Sequence, residues 1–88
     1  MKRVHVVVRG DVQGVFFRDT VHRSAEDRGV AGWVRNNSDG TVEAVFEGSA
    51  DDVDALLALS REGPRAASVE QVDVEDEEPE GLEGFEVR

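Results

Sequence analysis

The spacing of apolar positions along the chain predicts strands that alternate with helices. Val4 to Val8 is dense in β-branched residues, which predicts a first strand. Two further strand patterns, Val30 to Asn36 and Thr41 to Glu47, flank the segment Asn37-Ser38-Asp39-Gly40. Because Asn, Asp and Gly tolerate positive φ angles, this segment predicts a hairpin turn between the second and third strands.

Two other segments have the period of amphipathic helices. The first ends at Gly29, where a C-terminal cap belongs. The second begins at Ser49, which predicts an N-terminal cap with Asp52 three residues later, and it ends at Gly63-Pro64. The apolar stripes are Phe17, Val21 and Ala25 in the first helix and Val53, Leu56 and Leu57 in the second.

The last part of the chain predicts a fourth strand over Val69, Val72 and Val74 and a short terminal strand at Phe85 and Val87. The change of parity between Val69 and Val72 predicts a bulge. The order strand, helix, strand, strand, helix, strand predicts an α+β fold of the ferredoxin-like split βαβ type. We expect one domain over residues 1–88, with two helices on one face of an antiparallel sheet and a short added edge strand.

Composition narrows the chemistry that the chain can perform. Its 88 residues include no cysteine, which excludes disulfides, thiolate catalysis and cysteine-ligated metal sites. No run approaches the roughly 18 apolar residues of a membrane span, and the first residues do not resemble a signal peptide. We therefore expect a cytoplasmic protein with a small active site.

Charge is distributed unevenly along the chain. The formal net charge is −10; residues 1–40 carry seven basic and five acidic side chains, whereas residues 41–88 carry three and fifteen. This excess of acid argues against nucleic acid as a partner but leaves the first half able to attract a small anion. Strong self-repulsion favours a monomer. Heavy acidity with Lys2 as the only lysine suggests a high-salt source, and an acidic surface kept soluble by its charge is the alternative.

The segment from Gly10 to Arg18 joins the first strand to the first helix. A glycine-containing turn at a helix N-terminus can direct several backbone N–H groups into one concavity, where the helix dipole adds positive charge. Arg18 lies in the first helical turn, where the dipole favours acidic residues. A guanidinium there can contact two phosphoryl oxygens at once, although an ordinary strand-to-helix turn with a solvated arginine is the alternative.

Asn36 closes the second strand at the predicted hairpin. Its side-chain amide can accept a hydrogen bond from water and donate one to an anion, so it is a candidate for positioning water. Asn36 and Asn37 acting only as turn formers is the alternative. Trp33 is expected to pack in or around the core.

Other polar residues give no metal or nucleotide site. His5 and His22 lack a third partner at ligand spacing, so we expect structural or surface roles and no metal. The acidic residues from Asp73 to Glu86 lack the spacing of a calcium loop and are expected to be solvated. The Walker-type phosphate loop is absent, because no lysine follows Gly14 at the required spacing.

Two segments, Val8 to Arg18 and Gly32 to Asn36, closely resemble in order the two signature motifs of the acylphosphatases. Gly63-Pro64-Arg65 and the terminal Phe85 to Arg88 also resemble the family pattern, so the resemblance spans nearly the whole chain. It implies the split βαβ fold. It also implies hydrolysis of acyl phosphates to a carboxylate and inorganic phosphate, with neither a metal nor a cofactor.

The resemblance also assigns roles to residues. It implies that Arg18 binds the phosphoryl group and that Asn36 orients the attacking water. The backbone amides of the loop residues would bind the phosphoryl group with Arg18; these residues are Asp11, Val12, Gln13, Gly14 and Val15.

Asp11 departs from the family pattern, which usually has a basic or neutral polar residue after the first glycine. A carboxylate beside a phosphate site should weaken anion binding unless it points outward or is screened by salt. The main alternative function is a non-catalytic phosphate- or metabolite-binding module of the same fold. An RNA-recognition domain is disfavoured, because the chain lacks a series of aromatic residues for base stacking.

Overall fold

The computed structural model describes residues 1–14 and 16–88. Residue 15, whose amide was predicted to bind phosphate, lies outside the described residues. The elements in chain order are β1 (Lys2–Asp11), α1 (Phe17–Arg28), β2 (Ala31–Asn36), β3 (Val42–Gly48), α2 (Ala50–Glu62), β4 (Ser68–Glu77) and β5 (Phe85–Val87). They form the predicted split βαβ arrangement.

One sheet contains all of the strands in the order β4-β1-β3-β2-β5. Strands β1 to β4 pair antiparallel with their neighbours, whereas the edge strand β5 runs parallel to β2. The predicted bulge is confirmed, because Arg9 pairs with Gln71 while Gly10 pairs with Val69. Glu70 is therefore the extra residue that changes the parity of β4.

Both helices cover the same face of the sheet. Their apolar stripes and the inward valines of β1 belong to one buried cluster, as the alternation of these positions predicts. Helix α1 packs against β2 and β5, and α2 packs against β1, β3 and β4. The largest fully buried aromatic side chains of this core are those of Phe17 and Phe46.

A buried ion-pair cluster fastens the segment after β4 to the sheet. Arg3, which is only 9% exposed, pairs with Glu47 (3.4 Å), Glu77 (2.9 Å) and Glu80 (2.9 Å). The backbone amides of Glu80 and Leu82 each donate to the Glu47 carboxylate at 2.7 Å and keep its pKa below the ordinary value. Glu77 and Glu80 remain exposed, as expected of the acidic stretch, and they also supply the counter-charges that the buried arginine opposite them requires.

Candidate active site

Helix α1 starts directly after a tight turn from β1. Gly10 has a φ angle of 132°, and a Cβ there would lie 2.2 Å from the carbonyl oxygen of Ser68 across the bulge. Gly14 has a φ angle of 73°. Only glycine accommodates both the close approach and these backbone angles without strain. The two glycines therefore shape the turn that brings the chain from the sheet to the start of α1.

The N-terminus of α1 has no side-chain cap. Its N-cap residue is Phe16, which adopts a left-handed conformation with φ 62° and makes no capping hydrogen bond. The first amides of a helix have no partner within the helix, and the dipole makes this end positive. The start of α1 can therefore offer backbone donors to an anion.

A cavity of about 250 Å³ lies between the turn, the start of α1 and the end of β2. It contains both Arg18 and Asn36, which are separated in the sequence and were predicted to act on one substrate. Its size admits a small substrate, being slightly below the usual range for ligand pockets. The lining residues are Val12, Gly14, Phe16, Phe17, Arg18, Asp19 and Asn36.

The other predicted binding residues lie beside this cavity. Asp11 is exposed at the end of β1 and is absent from the cavity lining. Gln13 also lies outside the lining. The roles assigned to their backbone amides remain predictions.

Arg18 is exposed and forms no ion pair with residues 1–14 or 16–88. Asp19, the adjacent acidic residue in the lining, instead pairs with Arg23 at 2.6 Å. The charge of the Asp19 carboxylate is thereby partly balanced by another arginine. The guanidinium of Arg18 can therefore bind an anion without first breaking an internal ion pair.

The Gln13 side chain connects the turn to the hairpin that follows Asn36. Its Nε2 donates to the carbonyl oxygens of Asn37 (2.7 Å) and Thr41 (2.9 Å). Both donors of the amide group are used on the main chain. Gln13 thus fixes the loop before Arg18 relative to the strand end that carries Asn36.

Asn36 is the last residue of β2 and pairs with Val42 in β3. The turn beyond it is held by side chains: Asn37 Nδ2 donates to Thr41 Oγ1 (3.0 Å) and to Glu43 Oε1 (3.1 Å). Asp39 accepts from both the amide and the hydroxyl of Thr41. Asn36 therefore extends from a rigid hairpin, which suits a residue that must orient water.

Glu43 is the centre of the polar network behind this hairpin. It accepts hydrogen bonds from His5, Arg35 and Asn37. These contacts, that of His5 foremost, lower the pKa of Glu43 from 4.5 to about 2. The Glu43 carboxylate therefore carries a negative charge in this network at neutral pH.

The two histidines have structural surroundings, as expected, whereas Trp33 belongs neither to the buried core cluster nor to the residues packed against it. His5 contacts Glu43, and the ring of His22 stacks on Phe85 with centroids 6.0 Å apart. The guanidinium groups of Arg35 and Arg88 lie over the Trp33 ring, 5.1 Å and 4.9 Å from its centroid. Among residues 1–14 and 16–88, no three side chains of His, Asp or Glu form a potential metal site.

Phe16, Phe17 and Asp19 line the cavity although the sequence argument did not place them there. Phe17 was assigned to the core, and it does serve the core with 2% exposure. Asp19 stands four residues before Arg23, and this spacing is the signal that could have indicated an ion pair beside the site.

Neither helix in the described part of the chain has the length and hydropathy of a membrane span.

Comparisons with known proteins identify the family of the chain. The family model of the acylphosphatases matches residues 4–87. Acylphosphatases of Haloarcula marismortui and Thermococcus kodakarensis are 56% and 55% identical, covering 98% and 99% of this chain and 94% and 98% of their own lengths. The crystal structure of an acylphosphatase from Bacillus subtilis superimposes with a TM-score of 0.95 at 32% identity, covering 100% of this chain and 99% of that chain. The chain belongs to the acylphosphatase family.

Proposed function

We propose that Arg18 and Asn36 carry out the acyl-phosphate hydrolysis that membership of the acylphosphatase family assigns to this protein. The observation that carries the proposal is their presence in one cavity beside the uncapped start of α1. In this proposal Arg18 and the loop amides bind the phosphoryl group, and Asn36 orients the attacking water.

Binding of the phosphoryl group is supported by two features. The planar guanidinium of Arg18 can donate two parallel hydrogen bonds to phosphoryl oxygens, and it has no internal ion pair within the described residues to give up. The turn residues Val12 and Gly14 and the first turn of α1 surround the same cavity. Their amides and the helix dipole would stabilise negative charge on the transferred group.

Hydrolysis needs little acid–base help from the protein. The leaving group of an acyl phosphate is a stable carboxylate, so the reaction depends mainly on positioning and on charge neutralisation. Asn36 can accept a hydrogen bond from the water and align it with phosphorus. The proton of the water would pass to an oxygen of the substrate phosphate.

Asp19 is the one titratable carboxylate among the described lining residues, so it is the rival candidate for a general base. Its ion pair with Arg23 argues against that role. Asp19→Asn should therefore retain turnover within about threefold, because a general base typically contributes at least about a hundredfold. A loss of a hundredfold or more would assign the proton to Asp19.

Turnover of benzoyl phosphate, followed by release of inorganic phosphate, is the direct test. The wild-type protein should hydrolyse it at the same rate with and without EDTA, since the proposed mechanism uses neither a metal nor a cofactor. Binding of phosphate without turnover would instead indicate the non-catalytic phosphate-binding module.

The setting of the enzyme is also a proposal. We propose a monomer in the cytoplasm, supported by the net charge of −10 and by the absence of cysteine. The exposed large apolar side chains of the described residues are Met1, Phe16, Leu82 and Val87. Analytical ultracentrifugation over a range of protein concentrations tests the monomer directly.

A further inference from the structure

Phe16 is an aromatic residue whose surroundings differ from those of the other phenylalanines. Its side chain is 79% exposed, whereas Phe17, Phe46 and Phe85 are 2%, 0% and 9% exposed. An exposed apolar residue is ordinary by itself. The position of Phe16 is what requires an explanation.

Phe16 occupies a backbone conformation that does not favour it. Its φ angle of 62° lies in the left-handed region, where glycine or asparagine is the usual residue. The side chain gains little from burial that would offset this strain. Residues in unfavourable backbone conformations concentrate at functional sites, and Phe16 lines the cavity with Arg18 and Asn36.

The cavity is lined by both polar and apolar residues. Arg18 and Asn36 are among the polar ones, and in the proposed function the phosphoryl group lies beside them. Val12 and Phe17 also line the cavity but are 1% and 2% exposed, so they offer almost no surface to a ligand. Among the described lining residues, Phe16 thus offers the most exposed apolar side chain to the rest of a substrate.

We infer that the Phe16 ring contacts the acyl group and makes the enzyme favour acyl phosphates with an aromatic acyl group over those with a small one. This inference rests on the proposed function of the site, because it requires the phosphoryl group to be held by Arg18. Once that group is fixed, the acyl carbon is one bridging oxygen away from phosphorus, so its substituent stays within reach of the residues that line the cavity.

Contact between two aromatic rings contributes modestly to binding. Such pairs change an equilibrium constant by roughly two- to tenfold, which sets the expected size of the effect. Acetyl phosphate has only a methyl group to place against Phe16 and should gain little. The preference for benzoyl phosphate over acetyl phosphate should therefore depend on the ring of Phe16.

The test is the ratio of kcat/KM for benzoyl phosphate to kcat/KM for acetyl phosphate in three proteins. Phe16→Asn removes the ring and keeps a residue that accepts the left-handed conformation, whereas Phe16→Tyr keeps a ring. We expect the ratio to fall by roughly two- to tenfold in Phe16→Asn and to remain near the wild-type value in Phe16→Tyr. Partial unfolding lowers both rates equally and leaves the ratio unchanged.

Inhibition by inorganic phosphate is the internal control, because phosphate has no acyl group. Its inhibition constant should be the same in wild type and Phe16→Asn. An unchanged ratio in Phe16→Asn, with both substrates turned over by the wild type, would overturn the role of Phe16 alone. A wild-type protein that hydrolyses neither substrate would instead overturn the proposed function of the site.

Discussion

The N-termini of the two helices differ in how their first amides are satisfied. Helix α2 begins at Ser49, whose hydroxyl oxygen accepts from the Asp52 amide at 3.3 Å and whose hydroxyl donates to the Asp52 carboxylate at 2.8 Å. Helix α1 begins at Phe16, which provides no cap, and it carries Arg18 in its first turn. The start of α2 is therefore capped by its own side chains. The start of α1 has no side-chain cap, and we call it the open end.

This difference shows how the same backbone chemistry serves stability in one place and binding in another. Two acidic residues in the first turn of α2 complement its dipole, whereas the first turn of α1 contains Asp19 together with the cation Arg18, which opposes the dipole by about 0.3–1 kcal/mol. An anion bound between the α1 amides and Arg18 would reverse that cost. In the proposed function the start of α1 therefore serves to bind a ligand, whereas the start of α2 serves the stability of the folded protein.

Removing the charge at the open end should have the largest effect. We expect Arg18→Ala to lower kcat/KM for benzoyl phosphate by about 10³-fold or more, because it removes a group that neutralises the transferred phosphoryl. Arg18→Lys should restore only a small part, since an ammonium cannot donate two parallel hydrogen bonds. Arg61→Ala, at the exposed last turn of α2, is the matched control and should leave the rate unchanged. Equal losses in Arg18→Ala and Arg61→Ala would mean that general surface charge, not the open helix end, matters.

Asn36 faces the same cavity but should affect a different step. Asn36→Ala is expected to lower kcat by about 10²–10³-fold, the usual effect of removing one preorganised polar group. Inhibition by inorganic phosphate should hardly change, because Arg18 and the amides of the α1 start remain. A matching loss of phosphate binding would show that Asn36 holds the anion and does not orient the water.

Gln13 connects the loop before α1 to the hairpin. Gln13→Leu has a similar size but leaves the carbonyl oxygens of Asn37 and Thr41 without these donors. We expect kcat to fall by about 10- to 100-fold, because small displacements of reacting groups are costly. Unfolding in urea should show a loss of about 1–3 kcal/mol. A stability loss with full kcat would limit Gln13 to a structural role.

Acid should weaken the hairpin beside the open end through Glu43. Its folded pKa of about 2 lies below the ordinary 4.5, so its contribution to stability is present above pH 4.5 and is lost as the pH falls toward 2. Glu43→Gln should be less stable by about 1–2 kcal/mol at pH 7 and nearly equal to wild type near pH 2. Urea unfolding at both values measures this; Glu83→Gln, an exposed carboxylate, is the control. A difference that is the same at both pH values would contradict the charged network.

The capping hydrogen bonds of Ser49 at the start of α2 should affect stability but not activity. Ser49→Ala is expected to cost about 1 kcal/mol of unfolding free energy and to leave kcat and KM unchanged. Phe16→Gly at the start of α1 should instead raise the unfolding free energy by about 1 kcal/mol, since glycine relieves the left-handed strain. If Phe16→Gly is destabilising like Ser49→Ala, the start of α1 is closed by contacts of Phe16 after all.

Local patterns were sufficient for most of the fold. The Ser49 cap, the hairpin at Asn37 to Gly40 and the bulge in β4 each follow from a few adjacent residues, so the sequence predicted them. The parallel pairing of β5 with β2 has no such local signal. The cluster of Arg3, Glu47 and Glu80 has none either, because its members are far apart in the chain and meet only in the assembled sheet.

The arrangement of the candidate site also depends on contacts between residues that are far apart in the chain. Arg18 was notable because its charge opposes the helix dipole, but its proximity to Asn36 depends on strand order and on the hairpin register. The resemblance to the acylphosphatases implied that the two residues act on one substrate, and the folded structure places both in one cavity. The sequence did not predict that Phe16 and Asp19 line the cavity, because only the folded chain determines which residues surround a cavity.

Backbone amide chemical shifts during titration with inorganic phosphate test the central claim most directly. In wild type and in Asn36→Ala, phosphate should shift the amides of residues 12–14 and 16–18 with similar affinity and leave those of residues 50–52 at the start of α2 unchanged. Arg18→Ala should lose this response. Equal shifts at both helix starts, or an unchanged response in Arg18→Ala, would contradict the account.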